Sequence, residues 1–356
     1  MKILIIGLGY AGQRYRRAFD HIAISTGMPL RLAYVSRTQK PVNLPYYSRV
    51  DTALRELAPD VVVVSVNDHF HATILRELAG YRGFVICEKP LATPQDDPDM
   101  FLEGLHGLDG FALDLVERYS DTSRQLRDRV MRNEWKLVRA SFHWGKDRIN
   151  DYRPTCGVTS EAIHALDLLG WICPDSGPLE LHDVLGVRSD FSISGNEVLD
   201  TVQLTATLGP AVVTGYSSFV NIIRQRTVDF TFVDSRMRLI HARLTFDTPR
   251  WDMDQLCIWT RSDGGAVELL HELATDPRQP GLDTLHKLSR LCVQVVRWVA
   301  FRERPSQQFA GLDTALNLQR LLNELDTRAR TPKPARYVHG QIRHLLPEDS
   351  DLECLG

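Results

Sequence analysis

The chain has 356 residues, 43% of them apolar and 24% charged, with a formal net charge of −3. That length exceeds one typical hydrophobic core and suits a two-domain globular protein of ordinary composition. With no dominant basic block, a nucleic-acid or anionic-membrane partner is not expected, and no apolar run approaches the ~20 residues that span a bilayer.

The N-terminus, "MKILIIGLG", enters a strand-like run at once and leaves no room for a signal peptide, so a cytoplasmic protein is expected. The six cysteines (Cys87, Cys156, Cys173, Cys257, Cys292 and Cys354) stand singly, without a CxxC pair. Neither a zinc site nor a disulfide framework is implied, and reduced thiols fit the same compartment.

The first part of the chain alternates strand and helix patterns. "KILIIGLG" is a buried strand, and "AGQRYRRAFDHIAIS" a helix with Tyr15, Ala18, Phe19 and Ile22 at helical spacing. "LRLAYVSR", then "VDTALRELA", then "DVVVVSVN" continue as strand, helix, strand; "HFHATILRELAG" is a helix stopped by Gly80, "GFVICEKP" a strand, and "GFALDLVERYS" one more. Runs this apolar suit a parallel sheet covered on both faces, so residues 1–118 read as a Rossmann-type doubly wound domain.

The pattern then changes. A helix, "DTSRQLRDRVMRN", leads to the alternating "WKLVRASFHWGK", a polar loop, and a helix near 159–172. Alternating segments at 180–192, 198–208, 211–220, 225–234, 236–246 and 255–261 predict one large, mostly antiparallel open sheet. Helices at about 281–303 and 311–328 and a Pro/Arg/His-rich tail at 336–356 close the chain. The fold class is α/β, with a C-terminal α+β domain over 119–335 whose last helix is a candidate to pack back on the first domain.

"GLGYAG" places Gly7, Gly9 and Gly12 in GxGxxG spacing between a strand and a helix, with Leu8, Tyr10 and Ala11 completing the turn. In that context the first glycine allows a tight turn, the second lets a pyrophosphate approach the backbone, and the third lets helix and strand pack closely. The second strand ends in Ser36, Arg37 and Thr38, where an NAD site usually carries a carboxylate for the ribose 2′-OH. An arginine flanked by hydroxyls suits a 2′-phosphate, so NADP(H) is preferred, with NAD(H) possible if Arg37 is only a solvated side chain. "VICEKPLATP" ends a buried strand with Glu88 and Lys89 side by side and a turn frozen by Pro90; a surface ion pair is the plain alternative.

Together, "GLGYAG", "SVNDHFHATIL", "CEKPLAT", "GVTSEAIHALDLLGWI" and the final "GLDTALNLQRLLNEL" resemble the Gfo/Idh/MocA family of glucose-fructose oxidoreductases, inositol dehydrogenases and their relatives. The resemblance covers residues 1 to about 172 and the last helix; the sheet between carries no sharp motif. It implies that the Glu-Lys-Pro turn lies at the carboxyl edge of the sheet beside the nicotinamide, often with a cis peptide before the proline. Lys89 then polarises the oxygen of the reacting carbon, and Glu88 orients the turn and balances Lys89. Val66 and Asn67, in place of the Thr-Pro common in relatives, fall near the cofactor ribose, and His71 serves packing and helix-start geometry.

The acid/base group implied is His164, although a lone histidine on an apolar helix is otherwise a satisfied core residue. His164 and Asp167 match the family pattern, but Ser160 stands where many relatives carry aspartate, and Ala162 replaces a typical glycine. Ser160 is therefore assigned to substrate binding and Glu161 to replacing the absent carboxylate, with a solvated Glu161 as the alternative. In "WGKDRINDYRPTCG", Lys146, Arg148, Tyr152 and Arg153 are candidates to meet an anionic or hydroxylated substrate, Tyr152 and Arg153 foremost, or else belong to a solvated loop. The resemblance implies reversible hydride transfer between NADP(H) and a C=O/CH–OH centre of a sugar, cyclitol or similar molecule, by a homodimer or homotetramer built through the C-terminal sheet. Alternatives are an imine or biliverdin-type reductase, a glycosidase-like enzyme with tightly held cofactor, and a non-catalytic NADPH-binding sensor.

Overall fold

A computed structural model describes residues 1–149, 151, 153–276, 282 and 284–337. The chain forms two compact units. One contains Met1–Leu115 and continues through the closing helices to Asn323; the other contains the described residues from Val116 to 276 and from Glu324 to 337.

The first unit runs β1 (Lys2–Ile6), α1 (Tyr10–Thr26), β2 (Arg31–Val35), β3 (Tyr46–Tyr47), α2 (Val50–Leu57), β4 (Val61–Val64), α3 (His71–Glu77), β5 (Phe84–Cys87), α4 (Asp99–Leu102) and β6 (Gly110–Leu113). All its strand pairs are parallel, in the order β3-β2-β1-β4-β5-β6. Ile3 to Ile6 and Val61 to Val64 are buried without alternation because helices cover both faces, which is why these strands are continuous runs of β-branched and aliphatic residues. The order reverses between β2 and β4 on either side of β1, and ligands of such sheets lie at the strand carboxyl ends beside that switch.

The second unit runs α5 (Asp121–Arg132), β7 (Lys136–Asp147), α6 (Thr159–Ile172), β8 (Leu179–Ser189), β9 (Val198–Leu208), β10 (Ala211–Ser218), β11 (Val220–Val233), β12 (Leu239–Thr245), β13 (Gln255–Arg261) and β14 (Val267–Ala274). One eight-stranded sheet results, ordered β14-β13-β12-β11-β7-β10-β9-β8, antiparallel throughout except where β10 runs parallel to β7. α6 packs on β7, β9 and β10, and α5 on β12 and β13. The alternation in sequence follows from this one-sided cover: Phe142, Trp144, Leu204 and Val213 are buried, while Gln203, Thr205 and Val212 face away. Residues after α8 extend the sheet edge, with Arg330 and Ala335 bridged in parallel to Leu185 and Ser189 of β8.

The structure departs from the sequence reading at several points, among them the short β3 and α4, which the sequence did not announce. The strand read through "GFALDLVERYS" ends at Leu113, and Val116–Tyr119 is a 3₁₀ turn. β14 was not foreseen: its sequence, "VELLHELA", is rich in helix formers, and pairing to β13 overrides that weak local preference. α7 (His286–Phe301), which sequence assigned to the second domain, belongs to the first unit, where it packs on α1. Its buried stripe of Leu288, Leu291, Cys292, Val295 and Val296 announces a covered face without naming what covers it. In α8 (Leu312–Arg328), fully buried Gln319 accepts a hydrogen bond from Ala92 N at 2.9 Å and donates to Thr93 O at 3.2 Å.

Candidate active site

In the first unit the glycine turn has the form a pyrophosphate needs. Gly7 has φ +94°, and a Cβ there would come 2.8 Å from Val66 N; a Cβ on Gly12 would come 2.0 Å from Gly7 O. Gly9 has no neighbouring atom within 4 Å of the same position and precedes α1 without a side-chain cap. The N-terminus of α1, the positive end of the helix, thus carries no side-chain cap and has room beside Gly9 for an anion. These residues fit a dinucleotide diphosphate. Leu8 is a core side chain, 2% exposed, so only its backbone is available to a ligand.

At the end of β2, Ser36 N donates to Tyr47 O at 3.2 Å. Arg37 and Thr38 are exposed, and among the described residues no carboxylate pairs with the Arg37 guanidinium. After β4, Asn67 uses its side chain locally, Oδ1 accepting from His69 N at 3.2 Å to cap the turn Asp68–Phe70. After β5, Glu88 N donates to Val64 O at 2.9 Å, Glu88 and Lys89 are half-buried, and the Lys89–Pro90 peptide is cis, as the resemblance implied.

His71 has a more specific role than packing. It is 1% exposed, with Nδ1 2.7 Å from Pro90 O and Nε2 3.0 Å from Val66 O, so one imidazole ties the turn carrying Lys89 to the turn after β4. A second buried group lies behind Glu88: Tyr15 donates its hydroxyl to Asp114 Oδ2 at 2.7 Å. Burial first, and the Glu88 charge second, push the Asp114 carboxyl well above its usual range, and the Tyr15 hydroxyl rises for the same reasons, burial and then the Asp114 charge.

In the second unit, every residue of α6 except Gly170 is buried. His164 is 6% exposed, and the Trp144 indole stacks on its ring at 5.7 Å between centroids and 19° between planes. His164 Nδ1 lies 2.6 Å from Glu117 Oε2, on the 3₁₀ turn, a close charge contact rather than an aligned hydrogen bond, since neither of these two atoms makes a hydrogen bond among the described residues. The next residue, Arg118, grips Asp167, one turn further along α6, through Nε to Oδ2 at 2.7 Å and through Nη2 to Oδ1. His164 Nε2 makes no hydrogen bond to the described residues of this unit.

The residues expected to replace the absent aspartate are engaged elsewhere. Ser160 Oγ donates to Gly157 O at 2.8 Å. Glu161 is fully buried; it accepts from Trp144 Nε1 at 3.1 Å and Arg226 Nη2 at 2.5 Å, and Lys146 Nζ lies 3.1 Å from its Oε2. The carboxylate beside His164 is thus Glu117, not Glu161, which is neither solvated nor the partner of the imidazole. Arg226 also binds Asp247; burial opposes its charge, but the Glu161 and Asp247 carboxylates more than compensate and hold its proton tighter than usual.

In the loop after β7, Arg153 is bound to buried Asp151, and Arg148 also reaches Asp151 at 3.0 Å. Burial acts to raise the Asp151 carboxyl, but the Arg153 hydrogen bonds and the Arg148 charge hold it at about 2. Lys146 and Arg148 sit over the Phe219 ring at 5.6 Å and 5.0 Å. Tyr152 lies outside the described residues.

Glu117, Trp144, Arg226, Asp114 and the tie made by His71 escaped sequence reading. One usable signal existed for the first, a Glu-Arg pair at the end of an otherwise apolar strand pattern in "ALDLVERYS". An imidazole with a carboxylate on one nitrogen and the other open can take up and release a proton. No cluster of metal-ligating side chains occurs among the described residues, and none of their helices is long and apolar enough to cross a membrane.

Residues 1–103 match the profile of the Gfo/Idh/MocA family, described as an oxidoreductase family with an NAD-binding Rossmann fold. A search of curated protein sequences finds no match. Among solved structures, the transcriptional regulator Gal80p of Kluyveromyces lactis is similar with a TM-score of 0.71 at 11% identity, over 92% of this chain and 89% of that one. UDP-N-acetylglucosamine 3-dehydrogenase GnnA of Acidithiobacillus ferrooxidans has a TM-score of 0.65 at 16% identity, over 92% and 96%. An oxidoreductase of Desulfitobacterium hafniense, described as NADPH-dependent, has a TM-score of 0.68 at 12% identity, over 90% and 93%. At such identities these likenesses speak for the fold. Over residues 1–103, then, the chain is similar to the Gfo/Idh/MocA oxidoreductase family with its NAD-binding Rossmann fold.

Proposed function

We propose that the protein is a cytoplasmic NADP(H)-dependent oxidoreductase acting on a C=O/CH–OH centre of a sugar, cyclitol or similar polar small molecule. The observation that carries the reading is His164, with a carboxylate 2.6 Å from Nδ1 and no hydrogen bond at Nε2 to the described residues of its unit, in a chain whose first unit carries the glycine cradle and the Lys89 turn. When bound, the nicotinamide supplies or accepts the hydride. Gly7, Gly9 and Gly12 shape the turn that receives the diphosphate at the start of α1, and Arg37, with Ser36 and Thr38, holds a 2′-phosphate; among the described residues no acid pairs with Arg37. Lys89 is the group that stabilises negative charge developing on the substrate oxygen, and His164 is the acid/base group. Ser160, Glu161, Lys146, Tyr152 and Arg153 remain the proposed substrate wall, with Glu161 acting through its bonds to Trp144 and Lys146.

The test is a turnover screen with NADPH and NADH against keto-sugars, keto-cyclitols and cyclic imines. The reading expects NADPH oxidation with a carbonyl substrate, a kcat loss of ~10²-fold or more in Lys89→Ala, and weaker NADPH but not NADH binding in Arg37→Ala. Turnover of the imine class alone favours the imine-reductase alternative. Cofactor retained through dilution with no net change at 340 nm favours the glycosidase-like one, and tight NADPH binding without turnover of any class a non-catalytic sensor.

A further inference from the structure

We propose that Glu117 is the positioning residue of the acid/base group, taking over from outside α6 the carboxylate role that position 160 cannot fill. The inference rests on the redox reading above and deepens it. Ser160 has no charge to offer, and its hydroxyl proton is given to Gly157 O. Glu161 is committed to Trp144, Arg226 and Lys146. Glu117 Oε2 lies 2.6 Å from His164 Nδ1, with side-chain exposures of 4% and 6%, in a place where an unpartnered charge is costly.

The turn that presents Glu117 is itself anchored. Arg118 and Asp167 form a two-pronged buried pair three residues along α6 from His164, so two neighbours on the 3₁₀ turn hold two residues on one helix face. Trp144 covers the ring from β7 and removes its freedom to turn. The charges facing this pair are Arg118 on the turn, Asp167 and Glu161 on α6, Lys146 on β7, and Arg226 on β11, whose own charge Glu117 helps to hold.

A carboxylate charge 2.6 Å from Nδ1 favours the tautomer with its proton on that nitrogen, a small rotation of either side chain completing the hydrogen bond, and leaves Nε2 for the substrate. In the reducing direction His164 would give a proton from Nε2 to the substrate oxygen, the hydride being what a bound nicotinamide would supply to the carbon. The imidazole would be left neutral, with its remaining proton on Nδ1 facing Glu117; oxidation would reverse each transfer.

The experiment is ¹⁵N-edited NMR of the imidazole rings in the cofactor-free protein, with the His164 signals identified among the 12 histidines by their loss in His164→Asn. It is run on wild type, Glu117→Gln and Glu117→Asp beside steady-state kinetics. Wild type is expected to show the Nδ1–H tautomer of His164, and Glu117→Gln to lose it. In Glu117→Gln kcat falls ~10²-fold while the NADPH Kd is unchanged, and Glu117→Asp recovers part of the loss. An Nε2–H tautomer in wild type overturns the proposal without any variant having to fold. So does a tautomer and kcat unmoved in Glu117→Gln. If wild type turns over nothing while the tautomer still depends on Glu117, the pairing stands and the redox reading falls.

Discussion

At Asp114 a carboxyl that any sequence reader would place in solvent is 6% exposed, bonded to Tyr15 and pressed by the Glu88 charge. Its proton affinity is raised on folding. The folded state therefore binds more protons at this group than the unfolded chain, where an aspartate titrates near ~3.9. The stability it contributes is fully present below that value and is lost as pH rises through the folded value. Asp114→Asn keeps an acceptor for Tyr15 and cannot ionise. It is expected to gain on wild type in Tm as pH is raised from 5 to 8; a variant that instead loses more at pH 8 than at pH 5 shows the carboxylate to be favourable there. His71 has a related economy at the same sheet edge. Both ring nitrogens face carbonyl oxygens, and a neutral imidazole can donate to only one of them.

α6 illustrates why an element is legible before its contacts are. Its length and apolar content mark it as a helix, but burial on nearly all sides removes the periodic face that would say where each residue points. What orients it is the two-pronged grip of Arg118 on Asp167, with Glu117 in close charge contact with His164 beside it. Removing one charge of the Arg118–Asp167 pair strands the other in the core, which costs ~3–5 kcal/mol when such a pair is broken from one side. Asp167→Asn is therefore expected to lower Tm markedly and to lower kcat with it, because the 3₁₀ turn loses its anchor beside Glu117. Differential scanning fluorimetry with parallel kinetics checks this. A variant within a degree of wild type shows the pair to be dispensable.

At the scale of the molecule, the second unit's sheet has one face whose described residues are largely exposed. Leu185, Gln203, Thr205, Val212 and Tyr216 share it, with Val212 57% and Leu185 48% exposed amid hydroxyl and amide groups. Such a mixture suits association of like surfaces, and the proposed homodimer or homotetramer would use it. Light scattering is expected to give a mass above the 40.4 kDa of one chain, and Val212→Asp with Leu185→Asp to return it toward that mass. A wild-type protein that stays at the single-chain mass at micromolar concentration and above removes the dimer from consideration.

The sequence alone determined the β-α alternation, the parallel sheet, the antiparallel sheet after it, and the turns at Gly7 and Lys89. Each depends on local requirements: the period of side chains along a strand or helix, a glycine where a Cβ would strike Gly7 O, a proline that freezes one turn. The tertiary structure alone decided that Glu117 serves His164, that Glu161 belongs to Trp144 and Arg226, that His71 joins Val66 to Pro90, and that α7 packs on α1. Arg118 and Asp167 are 49 residues apart, Arg226 and Glu161 65. Pairs so distant leave no period in the chain, because what unites them is the burial of opposite charges at one point, and that point exists only once the sheet and helix have closed over it.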